Sequence, residues 1–300
     1  SLGIVGSDGT KHLIEVGRHL GEQLEIWHSV DNISGPPDSV SLTHFHLGHC
    51  DGLRLFGKEA MNTKDLPVYF CGIAPKWVWE MGDHNMGSGN IDLRGDLSGR
   101  DGFLDNKHTR ASKQWWPARL AENFGFSPTP ECGFMIHPYW VPHRGNTPEA
   151  NYDEGGACYA LLIETDGLNL LFMPDHDSWH QTLGKTYPAN SLSPRDFIEQ
   201  DIDADDILTG ESIRDWLKKL SVDIALIDGT FWDENELPNR DMSEIPHPTV
   251  RESIELLGPK QEGDPDIRFL HLNHTNPLCN PDSPELAELT AMGWGLVKEG

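Results

Sequence analysis

Five apolar runs in this chain lead directly into residues that can hold a metal ion. "SVSLT" runs into His44 and His46, "YWVPH" ends on His143, "LLFMPD" on Asp175, "IALID" on Asp228 and "FLHLNH" on His274. A short apolar run bounded by turn residues reads as a buried strand. Such a strand meets water only where it leaves its sheet, and open α/β sheets gather their ligands at those edges. One polar residue there would be an ordinary buried group with a hydrogen-bonded partner. This set, drawn entirely from His and Asp, predicts a metal site along a sheet edge.

The densest part is "THFHLGHCDGL", residues 43–53. Side chains at i and i+2 of an extended segment point the same way, so His44 and His46 can grip one ion from one side. His49 falls where the next helix begins and approaches from another direction. Imidazole suits Zn, Fe, Cu or Ni, so these residues leave the metal open.

The rest of the chain places this cluster in a layered α/β fold. "SLGIVGSDGTKHLIEVG" predicts two strands joined by a turn at Ser7-Asp8-Gly9. "RHLGEQLEIW" has helical spacing, "DSVSLT" and "LPVYF" read as strands, and "GLRLFGKEAM" as a helix between them. "FMIHPYWVPHR", "CYALLIET" and "LNLLFMPD" read as strands, followed by the helix "ESIRDWLKKL" and the buried strand "VDIALID". Then come helix "TVRESIELL", strand "IRFLHLNH" and helix "SPELAELTAMG", capped by Ser283. Strands and helices mixed in this order suit sheets with helices on both outer faces. Nothing divides the 300 residues into separate domains. Residues 81–113, rich in Gly, Asp, Asn and Ser, are expected to form an inserted flap outside either sheet.

Composition narrows the function. Asp and Glu number 48 against 23 Lys and Arg, a net charge of −25 that repels phosphate backbones and anionic lipid. No nucleic-acid partner is expected. No apolar run approaches the roughly 20 residues of a membrane-spanning helix, so no membrane partner is expected either. A small-molecule substrate remains, with a homo-oligomer compatible. The five cysteines are scattered and form no C-x-x-C, which argues against a disulfide framework or a structural zinc site. The opening "SLGIVGSDGT" shows no signal peptide, and the compartment is left open, with a leaning to the cytoplasm.

"THFHLGHCDG" resembles the His-x-His-x-Asp-His signature of the metallo-β-lactamase superfamily, with Gly48 where the Asp stands. "MPDHDSW", "IDGTFWDENELPNRDMSEIPHP" and "LNHTNP" resemble the branch of the pyrroloquinoline-quinone biosynthesis B proteins and their uncharacterised relatives. The resemblance implies an αββα sandwich, two mixed sheets flanked by helices, with metal between the sheet edges. It implies a further strand before Ser1 and another after Gly300. It also implies a ligand set of His44, His46, His49, His143, Asp175 and His274, with Asp175 bridging. Zinc is expected, one ion held tightly and a second weakly because Gly48 supplies no carboxylate; iron or manganese are the alternatives.

Asp177 is expected to steady a ligand histidine, to bind metal itself, or to serve as the N-cap of a helix before Ser178-Trp179, and Asp228 to steady a ligand. Arg144 could receive an anionic group. Arg240, Glu244 and His247, in "NRDMSEIPHP", are candidates for substrate contact or proton transfer on the strength of the resemblance. The expected activity is hydrolysis of an ester, amide, lactone or similar bond by a metal-activated water, with Asp175 or His247 carrying the proton. An iron-dependent oxidative enzyme and a non-catalytic binding or carrier protein on the same fold are the alternatives.

Overall fold

In the computed structural model, residues 1–64, 66–70, 91–94, 125–143, 158–184, 210–242 and 245–298 are described, with 91–94 as backbone alone. Strands β1 (Leu2–Val5) and β2 (Lys11–Ile14) form the hairpin expected at Ser7-Asp8-Gly9, and Gly9 takes the positive φ of +79° that the turn requires. Helix α1 (Leu20–Asp31) leads to β3 (Ser39–Leu42), then to a single helical turn α2 (Leu47–Cys50) and a 3-10 turn (Asp51–Phe56), and on to β4 (Leu66–Phe70). β5 (Ile91–Arg94) pairs with β4 in parallel, closing a five-stranded sheet of order β1-β2-β3-β4-β5. Part of the expected flap is therefore sheet. Alternating Ile-Asp-Leu-Arg needs only backbone hydrogen bonds to extend an edge, which loop-like composition does not reveal. The rest of 81–113 lies outside the described residues.

The second sheet contains β6 (Phe134–Val141), β7 (Cys158–Thr165), β8 (Asn169–Met173), β9 (Ile224–Asp228), β10 (Asp266–Leu270) and β11 (Gly295–Leu296), in the order β11-β10-β9-β8-β7-β6. β8 to β11 run parallel, whereas β7 is antiparallel to both β6 and β8. β6 thus points the same way as β8. Helices α3 (Trp179–Thr182), α4 (Ile213–Lys219), α5 (Val250–Leu257) and α6 (Pro284–Ala291) follow these strands. Ser178, Ser212, Thr249 and Ser283 cap them, each side chain accepting a backbone N–H three residues on.

The period of two along each strand sorts its side chains between layers. Tyr159, Leu161 and Ile163 of β7 face inward with Ile14, Tyr69, Phe134 and Ile136, forming the core between the sheets. Cys158, Ala160 and Leu162 of the same strand face outward beneath Trp179, Trp216, Ile254 and Leu257. On the far side, Leu13, Val40, Leu42, Val68 and Phe70 pack against Leu20 and Leu24 of α1. Helix, sheet, sheet and helix form four layers, as expected. β2, β3, β6, β8, β9 and β10 all release their chains at one edge of the sandwich, and the site lies there.

Candidate metal centre

His44 and His46 follow β3, and α2 begins immediately afterwards, bringing His49 back over them. Three ring nitrogens converge with one carboxylate oxygen. His44 Nε2 lies 2.9 Å from His46 Nδ1, and His143 Nε2 lies 3.1 Å from the same atom. Asp175 Oδ2 lies 3.4 Å from His44 Nε2 and 3.9 Å from His143 Nε2. A tetrahedral ion with ligand bonds of about 2.0–2.2 Å sets its donors on edges of about 3.3–3.6 Å, and these four distances bracket that range. His44, His143 and Asp175 are buried, whereas His46 is partly exposed and Leu47 beside it is exposed, so the cluster opens on one side.

The charges suit a cation. Burial holds His44 well below the usual imidazole range, leaving it neutral as a ligand must be. Burial alone would raise the Asp175 carboxyl, but His271, His49 and His143 around it outweigh that effect and hold it well below the usual carboxylate range. His49 is pulled the other way. Burial disfavours its charge, yet Glu15 and Asp175 on either side raise it to about 10. Asp175 Oδ1 is buried and accepts no hydrogen bond among the described residues, a costly state for an anionic oxygen that a cation would relieve.

That oxygen faces a second group. It lies 3.4 Å from His247 Nδ1 and 3.5 Å from His271 Nδ1, while Oδ2 lies 2.7 Å from His49 Nε2. Asp175 therefore reaches both the His44–His46–His143 set and the His49–His271 set. Pro246 and Pro248 flank His247 and restrict its backbone, and its Nδ1 lies 2.7 Å from Asp228 Oδ2. Asp228 closes β9, fully buried, and its Oδ1 also accepts from the Thr230 hydroxyl (2.7 Å) and N–H (2.9 Å).

The last histidine corrects the expectation. His274 is exposed in the turn beyond β10 and enters none of the donor groups, while His271 takes the place beside Asp175. β10 ends at Leu270, in register with Asp228, and His271 bends away at a φ of +64°. A non-glycine residue held at positive φ marks a locally strained turn, here one that places its ring at the site. The pairing of Leu270 with Asp228 carries this information, and "LHLNH" alone does not.

Asp177 stands 3.2 Å from His143 Nδ1, on the edge of the ring away from Asp175, and Ser178 is the helix cap. Arg240 is exposed after the turn at Leu237, and Arg144 and Glu244 lie outside the described residues. Glu15 was not anticipated. It follows β2 directly, is buried, and contacts both Thr43 and His49. The available signal was an acidic residue inside the apolar run "LIEV" at a strand end.

Comparison with known proteins agrees with this fold. No protein-family model matches the chain. Zinc-bound PqqB from Methylobacterium extorquens superposes with a TM-score of 0.59 at 15% identity, over 99% of this chain and 84% of that one. The metallo-β-lactamase fold protein YhfI from Bacillus subtilis gives a TM-score of 0.50 at 14% identity, over 98% and 87%. The chain has the metallo-β-lactamase fold. Within that fold its sequence is similar to coenzyme PQQ synthesis protein B of Azotobacter vinelandii, 30% identical over 207 residues. That match spans 66% of this chain and 57% of the relative. The counterpart from Pseudomonas syringae pv. tomato is 40% identical over 81 residues, only 26% of its length.

Proposed function

We propose that this metallo-β-lactamase-fold chain is a metal-dependent hydrolase acting on an ester, amide, lactone or similar bond of a small molecule. The observation that carries this reading is Asp175, whose carboxylate reaches both the His44–His46–His143 set and the His49–His271 set in a buried, one-sided cluster. His44, His46, His143 and Asp175 would hold the ion, and zinc is the ion in the similar PqqB structure. A bound ion supplies Lewis acidity and a water of lowered pKa. The chain's own residues do the rest. His247, oriented by Asp228 and with its side chain buried beside Asp175, is placed to carry a proton to or from the substrate. Asp177, 3.2 Å from His143 Nδ1, is placed to steady that ring. The acidic composition favours a small or cationic substrate over a nucleic acid.

A second reading is an iron-dependent oxidative enzyme, favoured by the likeness to PQQ synthesis protein B and by a His/carboxylate donor set that also suits non-haem iron. Metal analysis of protein purified without added metal separates the two. Zinc together with turnover of aryl esters or lactones supports the hydrolase. Iron together with substrate-dependent oxygen uptake, and no hydrolysis, overturns it.

A further inference from the structure

We infer that Glu15 is a positioning residue: its one carboxylate fixes which ring nitrogen both His44 and His49 present to the site. The inference rests on the metal-site reading above for its consequence, but not for its geometry. Glu15 Oε1 receives the Thr43 hydroxyl in a short hydrogen bond and the Thr43 N–H at 3.3 Å. Glu15 Oε2 is in short contact with His49 Nδ1.

Donor and acceptor counting then settles the protons. A carboxylate only accepts, so the Thr43 hydroxyl donates to Glu15. Its oxygen is left to accept, and the ring atom 2.9 Å away is His44 Nδ1. His44 therefore carries its proton on Nδ1 and offers the Nε2 lone pair to the cluster. His49 gives its Nδ1–H to Glu15 directly, so Nε2, which donates to Asp175 Oδ2 at 2.7 Å in metal-free protein, is the atom turned to the site. One carboxylate thus sets two rings, one through a hydroxyl and one by contact.

Glu15 forms a donor group of its own with His44 and His49, but the same geometry keeps it out of the His44–His46–His143–Asp175 cluster. It lies on the Nδ1 edge of both rings, whereas Asp175 lies on the Nε2 edge, so the two carboxylates sit on opposite sides of the imidazoles. The backbone holds Glu15 there firmly. Its N–H donates to Ser41 O (2.8 Å), Val16 N–H to His49 O (2.9 Å) and Gly52 N–H to Val16 O (2.7 Å). Gly17 runs so close to α2 that a Cβ there would stand 2.5 Å from Gly48 O. Glu15 itself is held at a φ of +67°, outside the common range for a side chain of its size. Gly48 removes the carboxylate that the resemblance places beside His49, and Glu15 supplies a negative charge to the same imidazole from its other edge. That contact raises the basicity of His49 as a donor.

The test uses Glu15→Gln, Thr43→Val and Thr43→Ser in the full chain, with two readouts. In metal-free protein, 15N NMR of the imidazoles reports where each proton resides. In parallel, competition against a chromophoric chelator measures zinc affinity. The wild type is expected to show a proton on Nδ1 alone in His44, and in His49 an Nδ1 proton held by Glu15 beside an Nε2 proton held by Asp175. Glu15→Gln should perturb both rings and Thr43→Val only His44, each weakening zinc 10- to 100-fold, while Thr43→Ser restores the wild-type pattern. Zinc loss with both Nδ1–H signals unmoved would make Glu15 a ligand and overturn the proposal, as would variants that leave both signals and zinc affinity unchanged. If Glu15→Gln fails to fold, the Thr43 pair decides by the same criteria. If the wild type itself holds no zinc, the metal reading fails, and the NMR arm still decides whether Glu15 sets the two rings.

Discussion

Replacing Asp228 with asparagine tests the link between the second sheet and the site. The carboxylate is fully buried and serves four donors: His247 Nδ1 at 2.7 Å, His176 N–H at 3.3 Å, and the Thr230 hydroxyl and N–H at 2.7 and 2.9 Å. Asparagine keeps one oxygen, best used on Thr230, and turns an amide NH₂ toward His247 and His176. The lost charge-assisted bond to His247 costs about 1.5–3 kcal/mol and the unsatisfied His176 N–H about 1 kcal/mol more. The melting temperature should therefore fall by roughly 5–15 °C, at about 2–4 °C per kcal/mol for a large domain. Zinc content should not change, because the four converging donors are untouched. Turnover should fall at least 10- to 100-fold, because His247 loses the partner that fixes its ring. Calorimetry, metal analysis and an ester or lactone assay on the same preparation give all three numbers. A melting point within about 2 °C of wild type would refute the stability reasoning. Loss of zinc together with activity would make Asp228 a ligand and refute its assignment as the partner of His247.

Other perturbations follow from the same geometry. His44→Ala combined with His46→Ala removes two of four converging donors and should abolish metal content while leaving a cooperative thermal transition; near-wild-type metal in the purified double variant would sink the assignment. Gly48→Asp should raise the occupancy of a second ion beside His49 and His271, since a Cβ at Gly48 meets nothing within 4 Å; a metal-to-protein ratio unchanged under zinc titration would count against it. His176 is fully buried against Trp179, and burial lowers it to about 4. A histidine depressed in the folded state binds protons more readily when unfolded, so its contribution is full above about pH 6.5 and is lost as pH falls toward 4. Urea melts between pH 7 and 4 should show a smaller acid loss in His176→Gln than in wild type, and equal slopes would remove His176 from the account.

Much of this protein was legible in its sequence because two signals are local. Alternation and apolar runs place the strands, and the i, i+2 spacing of His44 and His46 sets them on one side of a strand end whatever the fold. Strand ends also marked His143, Asp175 and Asp228, since buried strands of one sandwich must surface somewhere and here surface at a common edge. What the sequence could not decide are questions of register and of contact between distant segments. His271 and His274 are equivalent as letters, and only the pairing of Leu270 with Asp228, followed by a residue at positive φ, brings the first to Asp175. Ile91–Arg94 is indistinguishable from its loop-like surroundings until β4 offers it an edge. Glu15 looks like a stray charge in an apolar run. Parallel pairing of β2 with β3 sets it beside Thr43, and the return of α2 brings His49 to it, because a carboxylate without those donors would not remain buried.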